Sequence, residues 1–453
     1  MPHRPTVCTA GLFGQALGSV GIAVLRAFEL QDVALRRLWA KAREKRAALL
    51  TLGNLGVAEV LLIVLGIGSN SILARGVSPA IYGEYQLVLS FVGIVSSFCL
   101  TGLSESLTIS AARRYDGNLL RITGLNLAVT VLGALALAGV AVYYRSSQPT
   151  LSLGVAAAAL LFPLGNLATI WPPWLIGRGR LGLNAGLQVA LSAIGVGALA
   201  VFALLQRIAL TELVLMVMGL QAVFSLVVVL CLLARRTSEV SHPQTVVFGL
   251  HATVASLLGG LVLTDKLIIN SRLSAADVAI YTVALVFPTQ IKSLYGVFNQ
   301  MLAPAVYKAG SVAAAWKYLR KRLAVLVVVF TAVGAVGFVA IPVFVPLLFS
   351  QRYAVAVPYG KWLWLSLAVT APATYLANVL RAQRKVRFVY VSSLGMPVVA
   401  FALYLALVRY GLAGIVVAKI VSQWCAVALY VGAFLYHLRQ PSSRGAGVAA
   451  EGL

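Results

Sequence analysis

Five ionisable side chains lie within stretches otherwise made of aliphatic residues: Glu59, Asp265, Lys266, Lys292 and Lys419. A charge inside a bilayer span costs from about 2.5 kcal/mol upward, so it faces a cavity or a partner. Lysines placed this way suit an anionic cargo in transit, and carboxylates suit a proton or sodium ion whose gradient drives it. Tyr295 and Asn299 follow Lys292 on one helical stripe. Pro288, one turn earlier, should kink the helix and free a carbonyl. That stripe reads as a cationic, hydrogen-bonding wall of a cavity, and Lys419 with Ser422 and Gln423 offers a second one. Asp265 and Lys266 are adjacent, so they point apart on a helix and cannot form an ideal pair. Either one of them faces the cavity or they serve a salt bridge between helices.

Glu59 shares its stripe with Gly56, Ile63, Gly66 and Asn70, where small residues let another helix approach. It is either an ion site or the counter-ion of a buried lysine. The expected cargo site is therefore Lys292, Tyr295, Asn299, Lys266 and Lys419, with Glu59 and Asp265 for ion coupling. Cys8, Cys99, Cys231 and Cys425 are scattered and the histidines do not cluster, so no metal site is expected. No cofactor is expected either, beyond a proton or sodium gradient as the driving force.

The elements that must hold these residues are visible in the composition. The chain is 60% hydrophobic and 11% charged, against about 45–50% apolar and 25% charged for soluble domains. Twelve apolar stretches, from 47–74 to 411–437, are each long enough to cross a bilayer, which takes roughly 20 residues. In lipid only helices satisfy their own backbone without closing a barrel, so the spacing predicts an all-α polytopic membrane protein with twelve transmembrane helices. The gaps after even-numbered stretches and the two termini hold 26 of the 36 Lys and Arg, and the gaps after odd-numbered stretches hold seven. This positive-inside alternation assigns the basic side, and the C-terminus, to the cytoplasm. The net charge of +24 is spread over those loops, so it reads as a signal facing anionic lipid and excludes nucleic acid as a partner.

The expected domains are an N-terminal extension (1–46), an N-lobe (47–236), a C-lobe (237–438) and a cytoplasmic tail (439–453). The extension holds an apolar run, 9–25, that is an extra span, a signal-like segment or the product of an upstream start codon, then a basic amphipathic helix, Arg26 to Arg46, suited to a membrane surface or to a solvated tail. Ser78-Pro-Ala-Ile-Tyr-Gly-Glu-Tyr85 in the first half matches Ser274-Ala-Ala-Asp-Val-Ala-Ile-Tyr281 in the second. Six spans on either side of Arg235-Arg236 make a parallel repeat, which places a transport path between the halves. Trp171, Trp174, Trp362 and Trp364 read as an aromatic belt. The outward loops are too bare for a glycan polymerase or ligase, and no phosphate-cradling glycine-rich motif is present, so no enzyme is expected.

Leu73-Ala-Arg75 leading to Tyr82-Gly-Glu-Tyr85, Thr101-Gly-Leu103, Asp265-Lys266-Leu-Ile, Ala279-Ile-Tyr281 and Tyr410-Gly-Leu-Ala-Gly414 occur in that order. The ordered set resembles the bacterial polysaccharide exporters, the Wzx-type lipid-linked oligosaccharide flippases. Their superfamily also holds the multidrug/toxin extruders and the lipid II flippase. The chain departs from that family at Thr101, Lys266 and Gln383-Arg384, where an acid, an arginine and a glycine are common. The resemblance implies two six-helix lobes related by pseudo-twofold symmetry in a V, alternating access and a cationic cavity. It further implies a flippase moving an undecaprenyl-pyrophosphate-linked oligosaccharide (O-antigen, capsule or exopolysaccharide) from the cytoplasmic to the periplasmic leaflet of a bacterial inner membrane. A glycan polymerase and a chain-length regulator are the partners it implies beside the lipid bilayer. A multidrug or cation antiporter, whose cavity should be acidic, and a non-transport subunit of a glycan-assembly complex stay open as alternatives.

The topology is testable directly. Cysteines introduced at Ser238 and Ser311 should resist an impermeant thiol reagent in intact cells, and labelling from outside would overturn it.

Overall fold

The computed structural model describes residues 44–99, 102–204, 209–236, 239–308, 311–383 and 386–439. The N-terminal extension up to residue 43 and the tail beyond Arg439 lie outside the described residues. The described chain is helical, with no strand. It makes twelve passes, some straight and some broken. The first lobe holds α1 (Glu44–Gly76), α2a (Pro79–Phe98) with α2b (Leu103–Ala112), α3 (Gly117–Tyr144), α4a (Pro149–Gly165) with α4b (Trp171–Gly177), α5 (Leu181–Leu204) and α6 (Leu210–Ala234). The second holds α7a (Pro243–Ser256) with α7b (Asp265–Arg272), α8 (Ala275–Lys308), α9 (Val312–Phe349), α10a (Ala356–Thr370) with α10b (Ala373–Ala382), α11a (Val386–Tyr390) with α11b (Met396–Leu407), and α12 (Gly411–Arg439).

Among the described residues eight helices are long and apolar enough to cross a membrane, or nine if the bent pair α10a–α10b is one span. The long run Arg387–Arg439 folds back at Gly411, whose φ of +69° suits glycine. Three of the breaks sit at proline or glycine, which weaken a helix. Pro163 lacks an N–H one turn before the 3-10 turn Asn166–Thr169. Gly259 and Gly260 lie in the 3-10 stretch Leu257–Thr264 between α7a and α7b. Pro372 stands at the 47° bend between α10a and α10b.

The internal repeat appears as a repeated helix start. Ser78 Oγ accepts from Ile81 N at the head of α2a, and Ser274 Oγ accepts from Asp277 N at the head of α8. Tyr85 and Tyr281, seven residues beyond each cap, are both buried.

The core divides unevenly. At the end carrying the charge-poor loops one apolar cluster spans both lobes, including Leu73, Tyr82 and Val155 of the first and Tyr281, Phe349 and Tyr404 of the second. At the basic end the core is two clusters, one of the first lobe together with α7a and one of the rest of the second lobe. Leu107, Trp171, Trp174 and Val228 form the first with Val246 of α7a, and Leu319, Phe330, Tyr375 and Phe434 form the second. The core is thus continuous across the lobes at one end and divided at the other, where α7a stays packed on the first lobe.

Trp171 and Trp174 correct the belt expectation, because both are buried against α2b and α6. Arg178 stacks over Trp174 while it pairs with buried Asp116. Trp362 is exposed as a belt residue should be, whereas Trp364 is half-buried and donates to the Val333 carbonyl.

The charge-poor end is closed by backbone. Arg75 of α1 donates to the carbonyls of Leu347 and Leu348, and Ser71 to Leu348. These belong to the last turn of α9, whose carbonyls have no partner within the helix and carry its negative dipole end. Tyr82 meets Tyr353 edge to face at 6.4 Å. Gly83 lies so near α8 that a Cβ there would stand 1.7 Å from the Ala275 carbonyl oxygen.

Gly83→Ala should therefore weaken this closure by about 1–3 kcal/mol, the usual scale of overpacking. A cysteine at Ser71 should become faster to label in that background. Gly56→Ala, with no atom within 4 Å of the new methyl, should change nothing. Equal labelling in both backgrounds would remove the contact from the account.

Candidate functional site: a cationic cavity between the lobes

The cavity is built from the restart of the seventh pass upward. After the 3-10 stretch the chain resumes as α7b at Asp265, whose Oδ1 accepts from the Lys266 N–H at 2.9 Å. The other oxygen, Oδ2, accepts from Tyr281 Oη of α8 and from Lys419 Nζ of α12, each at 2.8 Å. Asp265 and Lys419 form a buried ion pair, with side-chain exposures of 5% and 14%. The Tyr404 ring of α11b lies 5.7 Å from Lys419 Nζ. Lys266 points elsewhere: its Nζ donates to Gln86 Oε1 of α2a at 2.9 Å, across the lobe boundary.

Asp265, Lys266, Lys419 and Gln86 line a cavity of about 300 Å³, together with Asn70, Thr289, Gln290 and Gln423. Its charged lining is two lysines and one carboxylate, so a positive charge is left over. The neutral amides are held in place. Tyr82 Oη donates to Asn70 Oδ1 at 2.8 Å, and Ser366 Oγ donates to Gln423 Oε1 at 2.8 Å. Asn70 and Gln86 also line a neighbouring first-lobe pocket of about 270 Å³, with Ser69, Ser192 and Gln221.

Three of the expected site residues, Lys266, Lys419 and Asp265, come together here. Lys419 lines the cavity but its charge is matched by Asp265, so it is not a free cation. Asp265 has both oxygens engaged, which fits a structural staple better than the expected ion-coupling site. Tyr295 packs against the second lobe's own core, and its carbonyl accepts from Tyr375 Oη at 3.1 Å. It is thus removed from the Lys266 cluster. The side chains of Lys292 and Asn299 lie outside what is described. By helical register position 292 is one turn beyond cavity-lining Thr289. Pro288 lines the cavity within α8, which is one helix from Ala275 to Lys308. Glu59 is half-buried, and no hydrogen bond or ion pair reaches it among the described residues. It lies roughly 16 Å of helix from Asn70.

Sequence reading missed Gln86, Asn70 and Tyr281 as partners. The available signal was an amide within an apolar span for the first two and the repeated Ser-to-Tyr motif for the third.

With this geometry in view, the solved structures are informative. An inward-facing multidrug resistance MATE family transporter of the MOP superfamily matches 83% of this chain and 93% of its own, with TM-score 0.66 and 14% identity. An outward-facing one matches 88% of this chain and 100% of its own, with TM-score 0.61 and 14% identity. The fold is that of the MOP-superfamily transporters. A further match is a MOP superfamily transporter from Pyrococcus furiosus, described as having a binding pocket of reverse polarity that suggests a different function. It covers 88% of this chain and 100% of its own, with TM-score 0.58 and 15% identity. No family profile and no curated relative matches the sequence. The expected twelve-helix, two-lobe architecture is thus present, and at these identities the likeness carries the fold alone.

The staple makes a quantitative expectation. Asp265→Asn leaves Lys419 buried without a counter-charge and should destabilise the purified protein by about 3–5 kcal/mol. Lys419→Gln should cost a similar amount, and the double variant should lose clearly less than the sum of the two. Additive losses in thermal melts would mean that the two charges do not depend on each other.

Proposed function

We propose that the chain is an alternating-access membrane transporter with an anionic amphiphile as its cargo. The specific cargo proposed is a pyrophosphate-linked lipid oligosaccharide, flipped from the cytoplasmic to the periplasmic leaflet of a bacterial inner membrane. The observation that carries this reading is the charge of the cavity. Asp265 is taken up by Lys419, and Lys266 stands on the cavity wall, its ammonium bonded to a neutral amide among the described residues. Carrying a pyrophosphate through apolar lipid has a large charge-burial cost, and a fixed ammonium offsets it. Asn70, Gln86, Gln423 and Thr289 add neutral hydrogen-bonding groups suited to a hydroxyl-rich head. A core shared at one end and split at the other suits rocking of the lobes about that shared end. Glu59, without an ion-pair partner among the described residues, is the proposed site for a driving proton or sodium ion, and Lys292 is a proposed second cation for the cargo.

A second reading, multidrug antiport, is favoured by the solved neighbours named as multidrug resistance transporters. The likeness points to that reading more directly than to lipid-linked sugars. The cavity points away from it, because an organic cation would meet a surplus lysine. The Pyrococcus furiosus neighbour, with its reverse-polarity pocket, offers a parallel for a different cargo on this fold.

Losing a charged hydrogen bond worth about 1.5–3 kcal/mol reduces flux roughly ten- to a hundredfold, at about 1.4 kcal/mol per decade. Lys266→Gln should show that loss in vesicles loaded with the lipid-linked oligosaccharide, while reaching the membrane in normal amounts. Lys266→Arg should keep part of the activity, and Lys292→Ala should fall with Lys266→Gln. Full flux by Lys266→Gln, or cationic-drug sensitivity of a deletion strain with intact surface glycan, would favour the antiporter.

A further inference from the structure

We infer that Gln86 occupies the place of the cargo's anion on Lys266, and that its displacement couples cargo binding to parting of the lobes. This rests on the anionic-cargo reading above and adds a coupling residue to it. The bond from Lys266 Nζ to Gln86 Oε1, at 2.9 Å, joins residues 180 positions apart in the chain and belonging to different lobes. It differs in kind from the other ties between the lobes. Those at the charge-poor end run from Arg75 and Ser71 to backbone carbonyls of α9. Arg352 to the Val77 carbonyl and Asn270 to Gln148 also join the lobes, and those at the basic end run from Ser106 to the Thr245 carbonyl, from the Gly102 N–H to Thr253 Oγ1 and between Asn118 and His242. None of these groups lines the cavity, so a cargo inside it does not compete for them. Lys266 and Gln86 both line it, and a cargo meets their bond directly.

An amide oxygen is a weaker partner for an ammonium than a phosphate oxygen, because the phosphate adds the attraction of a full opposite charge to the hydrogen bond. The ammonium has three donors, but holding the amide and a phosphate together sets two negative oxygens side by side in a site of low dielectric. Gln86 also has somewhere to go. Its side chain stands between the cavity and the first-lobe pocket, and it lines both. There Ser69, Ser192 and Gln221 offer polar partners. Once Gln86 turns into that pocket, the second lobe keeps the anion on Lys266 and the first lobe loses its hold on that lysine. Gln86 is thus a positioning residue, and cargo charge is the signal it reads.

The test uses the full-length purified protein and inorganic pyrophosphate as the probe. Spin labels are placed on exposed Ala112 and Ala314, at the basic end of opposite lobes, with the four native cysteines replaced by alanine. In the wild type, pyrophosphate should bind and shift the distance between the labels. Gln86→Leu should bind it about tenfold more tightly, because no competing partner remains, and should show the shifted distance before pyrophosphate is added. Gln86→Glu replaces the amide with a full counter-charge and should bind it at least about tenfold more weakly. If affinity is unchanged in either Gln86 variant while Lys266→Gln has lost binding, the anion shares Lys266 with Gln86. The coupling then fails and the anionic-cargo reading stands. Equal, negligible binding by the wild type and Lys266→Gln would sink that reading itself.

Discussion

Asp265 takes donors from three helices: the amide at the head of its own α7b, the Tyr281 hydroxyl of α8 and the Lys419 ammonium of α12. A carboxylate taken out of water loses several kcal/mol of solvation, and only a saturated set of donors holds it there. Much of the polar construction of the second lobe follows from meeting that demand. The seventh pass restarts at this residue, and the eighth and twelfth are held to it. Lys266, the next residue along, is turned about 100° round the helix and reaches the opposite way, toward Gln86 of the first lobe. One buried carboxylate therefore braces the lobe with one lysine and leaves the other as the surplus charge of the cavity.

The way apolar surface is distributed sets what the lobes can do relative to each other. A single cluster through both lobes at the charge-poor end makes that end one packed body. At the basic end the first lobe with α7a and the rest of the second lobe have separate interiors, which each keeps when the gap between them changes. Packed cores switch between arrangements and do not deform smoothly, so movement is expected at the boundary between clusters. The broken passes lie there as well: Leu257–Thr264 separates α7a from α7b, and the chain interrupts α2 between Phe98 and Leu103. α2b packs against α7a at the basic end, while α2a and α7b frame the cavity through Gln86, Asp265 and Lys266.

Much of this was legible in the residues. Charges in aliphatic surroundings are rare enough that Asp265, Lys266 and Lys419 could be picked out as site residues from their positions alone. Their pairing was not legible, because Lys419 is 154 residues from Asp265 and no spacing rule reaches that far. Gln86 was overlooked because a neutral amide in a span costs much less than a charge and so stands out less. The Trp-Pro-Pro-Trp motif misled for a different reason. Depth along a span can be estimated from sequence, but the side of the helix on which α2b packs comes only from tertiary structure. Pro163, Gly259-Gly260 and Pro372 stand at breaks that the sequence reading did not single out, and the 47° direction of the last depends on what it packs against. Tyr295 lay on the right helix but faces its own lobe's core. Helical stripes fix which residues face together and leave open what they face.

Fold and cargo are separate questions, since unrelated activities share one architecture. Electrostatics bears on the second. At an effective dielectric of 20 a unit charge about 4 Å away interacts by about 4 kcal/mol, favourably for an anion and unfavourably for a cation. Even after generous screening by water in the cavity, the sign of that difference survives. On the anionic-cargo reading proposed above, affinity alone would not make a transporter, because a cargo held too firmly is not released at the far side. A lysine with a built-in competing partner answers this. Gln86 lowers the net gain from binding by the worth of the bond it must give up, and that bond is available again as the cargo leaves. The same amide that fills the site when it is empty can therefore help to empty it.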